Sequence, residues 1–416
     1  MTDLGAPLAL PCGQVLPNRL MKSALSESLG TSAGAPTSRL GRLYDAWAGG
    51  GWGLVVTGNV MVDLRQRGEP GNVVVEDERH LDALSRWADG FAGSGTPLWM
   101  QVNHPGRQAN ALVGRSRPVA PSAVAAAVPV ATRPRELSES EIRDVVERYA
   151  RTAAVAEAAG FDGVQVHAAH GYLVTQFLSP LANRRTDAWG GDPERRRRFL
   201  LEVVRSIRER VSPRFAVGVK LNSADFQRGG FDETESRDVV AALAAEGIDL
   251  IEVSGGTYES PVMFGPDTRR ESTRAREAYF LEYAAGVRAA AGAVPLAATG
   301  GFRSRSAMDE AVTSGDCDVV GLGRPASVFP HVARSLLEEG LERVELPTVR
   351  VERGRRAVGR VTTLHTVDSA LDLSWHTDQL HRLGAGRAPD LARPWWRTAV
   401  SAALRNGPGA FVPQRG

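Results

Sequence analysis

Eight short apolar runs rich in β-formers occur along this chain, regularly followed by longer amphipathic segments that end in glycine. The runs are Leu20–Ala24, Gly53–Thr57, Leu98–Asn103, Gly163–His167, Phe215–Leu221, Leu250–Ser254, Pro295–Thr299 and Asp318–Gly321. Strand-period runs alternating with helix-period segments are the pattern of repeated βα units. An open doubly wound sheet shares the alternation, but it carries its glycine-rich phosphate turn near the first strand. Here the glycine-rich turns follow the seventh and eighth runs, where a (β/α)8 barrel places a phosphate site. The expected fold is therefore α/β, a (β/α)8 TIM barrel. An N-terminal hairpin at Leu8–Val15, turned by Pro11 and Gly13, should close its bottom. The barrel is expected over residues 1–345 and a C-terminal extension over 346–416. The extension has a helical pattern near Val367–Leu383 and the pair Trp395–Trp396, and is expected to pack on the barrel or on a neighbouring subunit of a homo-oligomer.

Local signals place the helices. Ser138 and Glu141 form a capping box before Ile142, Val145, Val146, Tyr149 and Ala153, and Gly160 ends that helix. Thr234–Glu246 repeats the design, with Val239, Val240 and Leu243 on one face and Gly247 behind it. Arg195 to Arg198 open another helix and need be only a solvated face. Pro105–Glu136, rich in Pro, Ala and Arg, is expected as a loop over the catalytic face. At 43% hydrophobic and 24% charged, the 416 residues can fill one large core, and a net charge of +2 gives no broad field toward nucleic acid or a membrane. Two cysteines, Cys12 and Cys317, make neither a disulfide framework nor a cysteine-rich metal site, which suits a reducing, cytoplasmic setting. No stretch has the length and apolarity of a bilayer span.

In a barrel, residues at the C-terminal ends of the strands share one pocket. The turns Ala298-Thr299-Gly300-Gly301-Phe302 and Val320-Gly321-Leu322-Gly323-Arg324-Pro325 can aim backbone N–H groups at a phosphate, and Arg324 adds a charge-assisted donor. His167, His170 and Tyr172 leave the fourth strand together and supply imidazole and phenol donors in one small volume. His104 would be a third ligand if the histidines held zinc, but no Asp, Glu or Cys cluster joins them, and no metal is expected. Lys220 sits in the apolar strand Val217-Gly218-Val219-Lys220-Leu221 and should meet an anion or an electron-rich ring; a Schiff-base lysine is the rival reading.

The words Pro17-Asn18-Arg19, Gln101-Val102-Asn103-His104-Pro105-Gly106-Arg107, His167-Ala168-Ala169-His170-Gly171-Tyr172-Leu173 and Gln176-Phe177-Leu178-Ser179-Pro180 appear in order, followed by Asn183-Arg184-Arg185-Thr186-Asp187 and Trp189-Gly190-Gly191. In these words the chain resembles the old yellow enzyme family of NADH:flavin oxidoreductases, over roughly residues 5 to 345. The resemblance implies non-covalent FMN at the barrel mouth and NADH or NADPH as hydride donor. It implies backbone contacts to the flavin from Ser23, Ala24 and Gly58, with Gln101 on the pyrimidine edge and Lys220 near N1 and O2. Ser26 would neighbour O4, and Gly300, Gly301, Gly323 and Arg324 would hold the phosphate. His167, and Ser254 by its place at a strand end, are also expected among the cofactor contacts. It further implies that His167 and His170 bind the carbonyl oxygen of an enone-type substrate, which takes a hydride at its β-carbon while Tyr172 protonates the α-carbon.

The chain departs from the family pattern in carrying Lys220 where better-known members have Arg, Ser26 in place of Thr or Cys, and Ser28 where some relatives have a substrate-contacting Tyr. It also lacks the cysteine cluster and second nucleotide domain of the long dienoyl-CoA reductase branch. The rival functions are a flavin reductase with another acceptor such as a quinone, nitro compound or oxygen, a flavin-free lysine-dependent lyase, and a flavin-binding barrel without turnover.

Overall fold

The computed structural model describes residues 3–126, 132–225, 227–254, 283–347, 349 and 361–406, with backbone only at 361–367, 369 and 406. Strands β1 (Leu20–Lys22), β2 (Leu54–Val56), β3 (Leu98–Asn103), β4 (Gly163–Ala168), β5 (Ala216–Asn222), β6 (Leu250–Ser254), β7 (Leu296–Thr299) and β8 (Val319–Leu322) each pair in parallel with the next. The register Val320↔Leu20 between β8 and β1 closes the barrel. Each strand begins and ends within two residues of its expected run. The chain after β2 bulges at 57–59 and pairs again with β3 through Val60–Met61.

Strand alternation gives the barrel two faces. On β5, Val217, Val219 and Leu221 pack outward with the helices, while Ala216 joins an inner cluster with Met21, Leu54, Val56, Trp99, Leu250, Ala297 and Val319. Leu10 and Leu16 of the N-terminal hairpin (Leu8–Ala9 with Val15–Leu16) plug this cluster from below. The broad Trp99 ring is admitted by two glycines. A Cβ on Gly163 would lie 2.9 Å from Trp99 Nε1, and one on Gly218 only 2.7 Å from Cζ3. Above Trp99 the interior turns polar, with buried Ser23, Gln101, Gln165, Lys220 and Glu252. An apolar floor beneath a polar mouth fixes where chemistry can occur.

Around the barrel run α1 (Ser38–Ala48), α2 (Leu81–Asp89), α3 (Glu139–Ala158), α4 (Pro193–Arg210), α5 (Glu233–Ala245), α6 (Arg305–Thr313) and α7 (Arg324–Val328), with residues 283–291 also helical. The capping box of Ser138 and Glu141 starts α3 as expected, and Gly247, at φ +69°, follows α5. Of the arginine run on α4, Arg196 departs from a solvated face. It is buried, donating to Leu178 O, Gly191 O and Glu235, because the chain before α4 folds back over its first turn.

The stretch after β3 is more ordered than a plain loop. It holds a 3-10 turn at Gly106–Gln108, a short helix at Ala111–Gly114 and a parallel pairing of Val119–Ala120 with Arg135–Glu136. Residues 127–131 and the pocket loop expected at Gly255–Glu277 lie outside the described residues. Two C-terminal helices, α8 (Val361–Gly384) and α9 (Trp395–Asn406), follow, with α8 lying against α1 and α7. No described helix is long and apolar enough to cross a membrane.

Candidate active site

Parallel register sets the site in one row, with His167 of β4 beside Lys220 of β5, which lies beside Glu252 of β6. Three side chains converge where β4 ends. The His167 ring meets the His170 ring at 5.1 Å between centroids and the Tyr172 ring at 4.8 Å, both edge to face. All three are buried. His167 Nδ1 accepts from the Ala169 N–H at 3.2 Å, which leaves the imidazole proton on Nε2. His170 Nε2 lies 3.0 Å from Ser254 Oγ. Burial, followed by the cation of Lys220, lowers the His170 pKa well below the ordinary value; for His167, His170 intervenes as the second cause. Both rings are neutral at pH 7, and so act as hydrogen-bond donors rather than as charges.

Beneath them a chain of amides crosses the interior. Gln101 Nε2 donates to Gln165 Oε1 at 2.7 Å, and Gln165 Nε2 donates to Glu252 Oε2 at 2.8 Å. Lys220 Nζ stands 2.9 Å from Glu252 Oε1, an ionic contact without aligned hydrogen-bond geometry. Lys220 therefore does meet an anion, on the neighbouring strand. A second buried lysine, Lys22, donates to Val56 O at 2.9 Å and lies 4.1 Å over the Trp47 ring. Burial pulls its pKa down to about 8 despite Glu27 nearby. Glu27 in turn accepts from Tyr44 Oη and from the Gly58 N–H, and a Cβ on Gly58 would collide with its carboxylate. Ser26 donates to Glu69, whose pKa burial raises to about 7.

The late glycine turns sit as expected beyond β7 and β8. Gly300 and Gly301 have φ of +140° and +82°, which L-residues rarely adopt. Gly323 caps α7, and Ser23 Oγ bonds Thr299 Oγ1 at 2.8 Å beside Gly321. Arg324 pairs with Asp372 of α8 at 3.1 Å, and Ser327 Oγ lies 2.7 Å from His376 Nδ1 on the same helix. Burial, then Arg324 and Arg303, drive the His376 pKa down, so two guanidinium groups flank the glycine turns. This donor set suits a monophosphate. Higher in the mouth, alternation puts Asn103 on the same face of β3 as Gln101. Both amide atoms of Asn103, and Nδ2 of Asn222, are buried with no hydrogen-bond partner among the described residues. Such amides are completed by a bound polar group, and the residues present fit FMN.

His104 does not join this set. One residue beyond Asn103, it points to the helix side, where Asp63 and Arg148 act on it and burial lowers its pKa to about 4. Strand alternation excludes it from both pocket and metal site, and no group of three or more His, Cys, Asp or Glu fit for a metal occurs among the described residues. Several recurring words turn out to be scaffolding. Gln176 accepts from the Arg107 N–H and donates to Pro105 O and Gly171 O, stapling the two loops that flank the histidines. Asn183 ties Phe177 O to Trp189 O, and the Trp189 ring lies under the Arg198 guanidinium at 4.7 Å. Sequence reasoning missed Glu252, Gln165, Lys22 and Glu27. The test that singled out Lys220, a charge inside an apolar strand, would have found Glu252 and Lys22.

The family model for the NADH:flavin oxidoreductase / NADH oxidase family matches residues 3–342. The NADH-dependent flavin oxidoreductase iliE of Hypocrea jecorina (strain QM6a) is 40% identical over 363 residues, covering 81% of this chain and 90% of its own. A solved 2-naphthoyl-CoA reductase in complex with 2-naphthoyl-CoA superposes with a TM-score of 0.76 at 26% identity, over 81% of this chain and 52% of its own. An old yellow enzyme homologue from Zymomonas mobilis shares the fold, with a TM-score of 0.69 at 23% identity over 83% of this chain and 95% of its own. With the match spanning the whole barrel, the chain belongs to the NADH:flavin oxidoreductase / NADH oxidase family, the old yellow enzymes, and is an FMN-dependent oxidoreductase.

Proposed function

We propose that this enzyme reduces the C=C bond of α,β-unsaturated carbonyl compounds with NADH as the electron source. The observation that carries the reading is the convergence of His167, His170 and Tyr172, all buried, at the polar mouth of the barrel. Bound FMN supplies the hydride chemistry. His167 and His170 donate to the acceptor's carbonyl oxygen and draw electron density from the conjugated bond, leaving its β-carbon electrophilic. Because both rings are neutral, they polarise without adding charge to a dry site. Tyr172 holds the proton for the α-carbon.

On this reading, Gly300, Gly301, Gly323 and Arg324 hold the FMN phosphate, and Ser23, Ala24 and Gly58 line the ring with backbone. Ser26 and Gln101 address the ring edges, Lys220 stands at N1 and O2, and Ser254 orients His170. Replacing both histidines by Ala tests the assignment. Each lost donor leaves a buried carbonyl oxygen unsatisfied, at roughly 1–3 kcal/mol or about five- to hundredfold, so enone affinity and the rate of flavin reoxidation by an enone should both fall. Unaltered enone affinity in the double variant would remove the carbonyl-binding role.

A further inference from the structure

Neither the histidines nor the phosphate turns account for Glu252, a carboxylate 0% exposed in the centre of the barrel. A charge so placed is costly unless both of its oxygens are engaged. They are, by Lys220 Nζ at 2.9 Å on one side and Gln165 Nε2 at 2.8 Å on the other. The other charged or titratable groups around Lys220 are Lys22, paired with Glu27, and the neutral His167 and His170. Glu252 is thus the one anion in contact with Lys220 among the described residues.

The second engagement carries further. An ionised carboxylate only accepts hydrogen bonds. Gln165 must therefore turn its amide nitrogen to Glu252, which turns its oxygen to Gln101, and Gln101 must answer with its own nitrogen at 2.7 Å. That polarity leaves Gln101 with its carbonyl oxygen and one amide N–H unspent, an acceptor beside a donor. This pair complements an imide edge, where an N–H adjoins a carbonyl, as on the pyrimidine ring of a flavin. The opposite flip would offer N–H donors alone and set one of them against the imide N–H.

We propose that Glu252 is a positioning residue of the cofactor site, which anchors Lys220 with one carboxylate oxygen and, through Gln165, fixes the amide of Gln101 in the flip that matches the flavin's imide edge. The proposal rests on the reading that Gln101 and Lys220 address the flavin ring. Its test is FMN affinity and the visible spectrum of the bound flavin, measured by titrating the apoprotein with FMN. Glu252→Gln, which can donate where the carboxylate could only accept, should weaken FMN binding by about tenfold or more and shift the flavin absorption bands.

Gln165→Leu leaves the ion pair intact and should cost about tenfold in the wild-type background, yet add nothing in Gln101→Ala, because it acts only through that amide. Independent structural damage would instead lower affinity in both backgrounds. If Glu252→Gln does not fold, since breaking a buried pair on one side is strongly destabilising, the Gln165 cycle decides alone. Wild-type affinity and spectrum in Glu252→Gln and Gln165→Leu, with weakened binding in Gln101→Ala and Lys220→Met, would overturn the positioning role and leave the ring contacts standing. Unchanged FMN binding in Gln101→Ala and Lys220→Met would overturn the ring contacts and the proposal with them.

Discussion

His170 holds φ +62°, a left-handed conformation that costs a non-glycine residue of order 1–3 kcal/mol. Three contacts impose it. Its N–H donates to Asn222 Oδ1 at 3.1 Å, its carbonyl accepts from Gln108 Nε2 at 3.0 Å, and its ring meets Ser254. The neighbouring Tyr172 differs from the histidines in what it should contribute. Tyr172→Phe keeps the ring packed on His167 but removes the phenolic proton. Enone binding should stay near wild type while reoxidation by an enone slows by about 100-fold, with reduction by NADH much less affected. Stopped-flow traces of the two half-reactions separate these effects, and normal reoxidation in Tyr172→Phe would end the proton-donor role. At this scale the sequence showed residue types but not partners. Lys220 stood out as a charge in an apolar strand, whereas its counter-ion Glu252 lies on the next strand and is found only through the register Lys220↔Glu252.

The barrel strands were legible because a parallel strand buried on both faces is a short apolar run, and each here is bounded by an amphipathic helix. What escaped was the content of the connectors. The link from β4 to α4 carries many of the family's words, yet Asn183, Arg185 and Trp189 serve to fold it. A Cβ on Gly190 would lie 2.6 Å from both Arg185 Cβ and Asn183 Oδ1, a constraint no periodicity expresses. The contact of α8 with the segment behind the last glycine turn escaped for the same reason, since Asp372 and His376 meet Arg324 and Ser327 only in three dimensions. Between strands, one tight constraint is Trp99 against β5. Gly218→Ala puts a methyl 2.7 Å from that ring and 3.1 Å from Leu250 O. It should destabilise the enzyme by about 1–3 kcal/mol in chemical denaturation. In a Trp99→Leu background the same substitution should cost less.

Over the whole molecule, burial lowers the pKa of His104, His167, His170, His376 and His381. In the unfolded chain each titrates near ~6.5, so below that pH the unfolded state binds more protons and stability falls as pH drops. Glu27, Glu69 and Asp162 have raised pKa values and oppose this, since between ~4 and those values the folded state holds their protons. Among the described residues the histidines so shifted outnumber these carboxyls, so the net effect of acidification below about pH 6.5 is a loss of stability. The thermal midpoint should therefore drop across that window, and a midpoint that rises on acidification would contradict the buried neutral histidines.

An FMN enzyme that passes electrons from NADH to an activated C=C bond should reveal itself in one anaerobic spectrum of the purified protein. It should show one FMN per chain, bleached by NADH and restored stoichiometrically by an α,β-unsaturated ketone or aldehyde. A flavin that NADH bleaches but that none of a panel of such compounds restores would rule out the activated C=C bond as its acceptor.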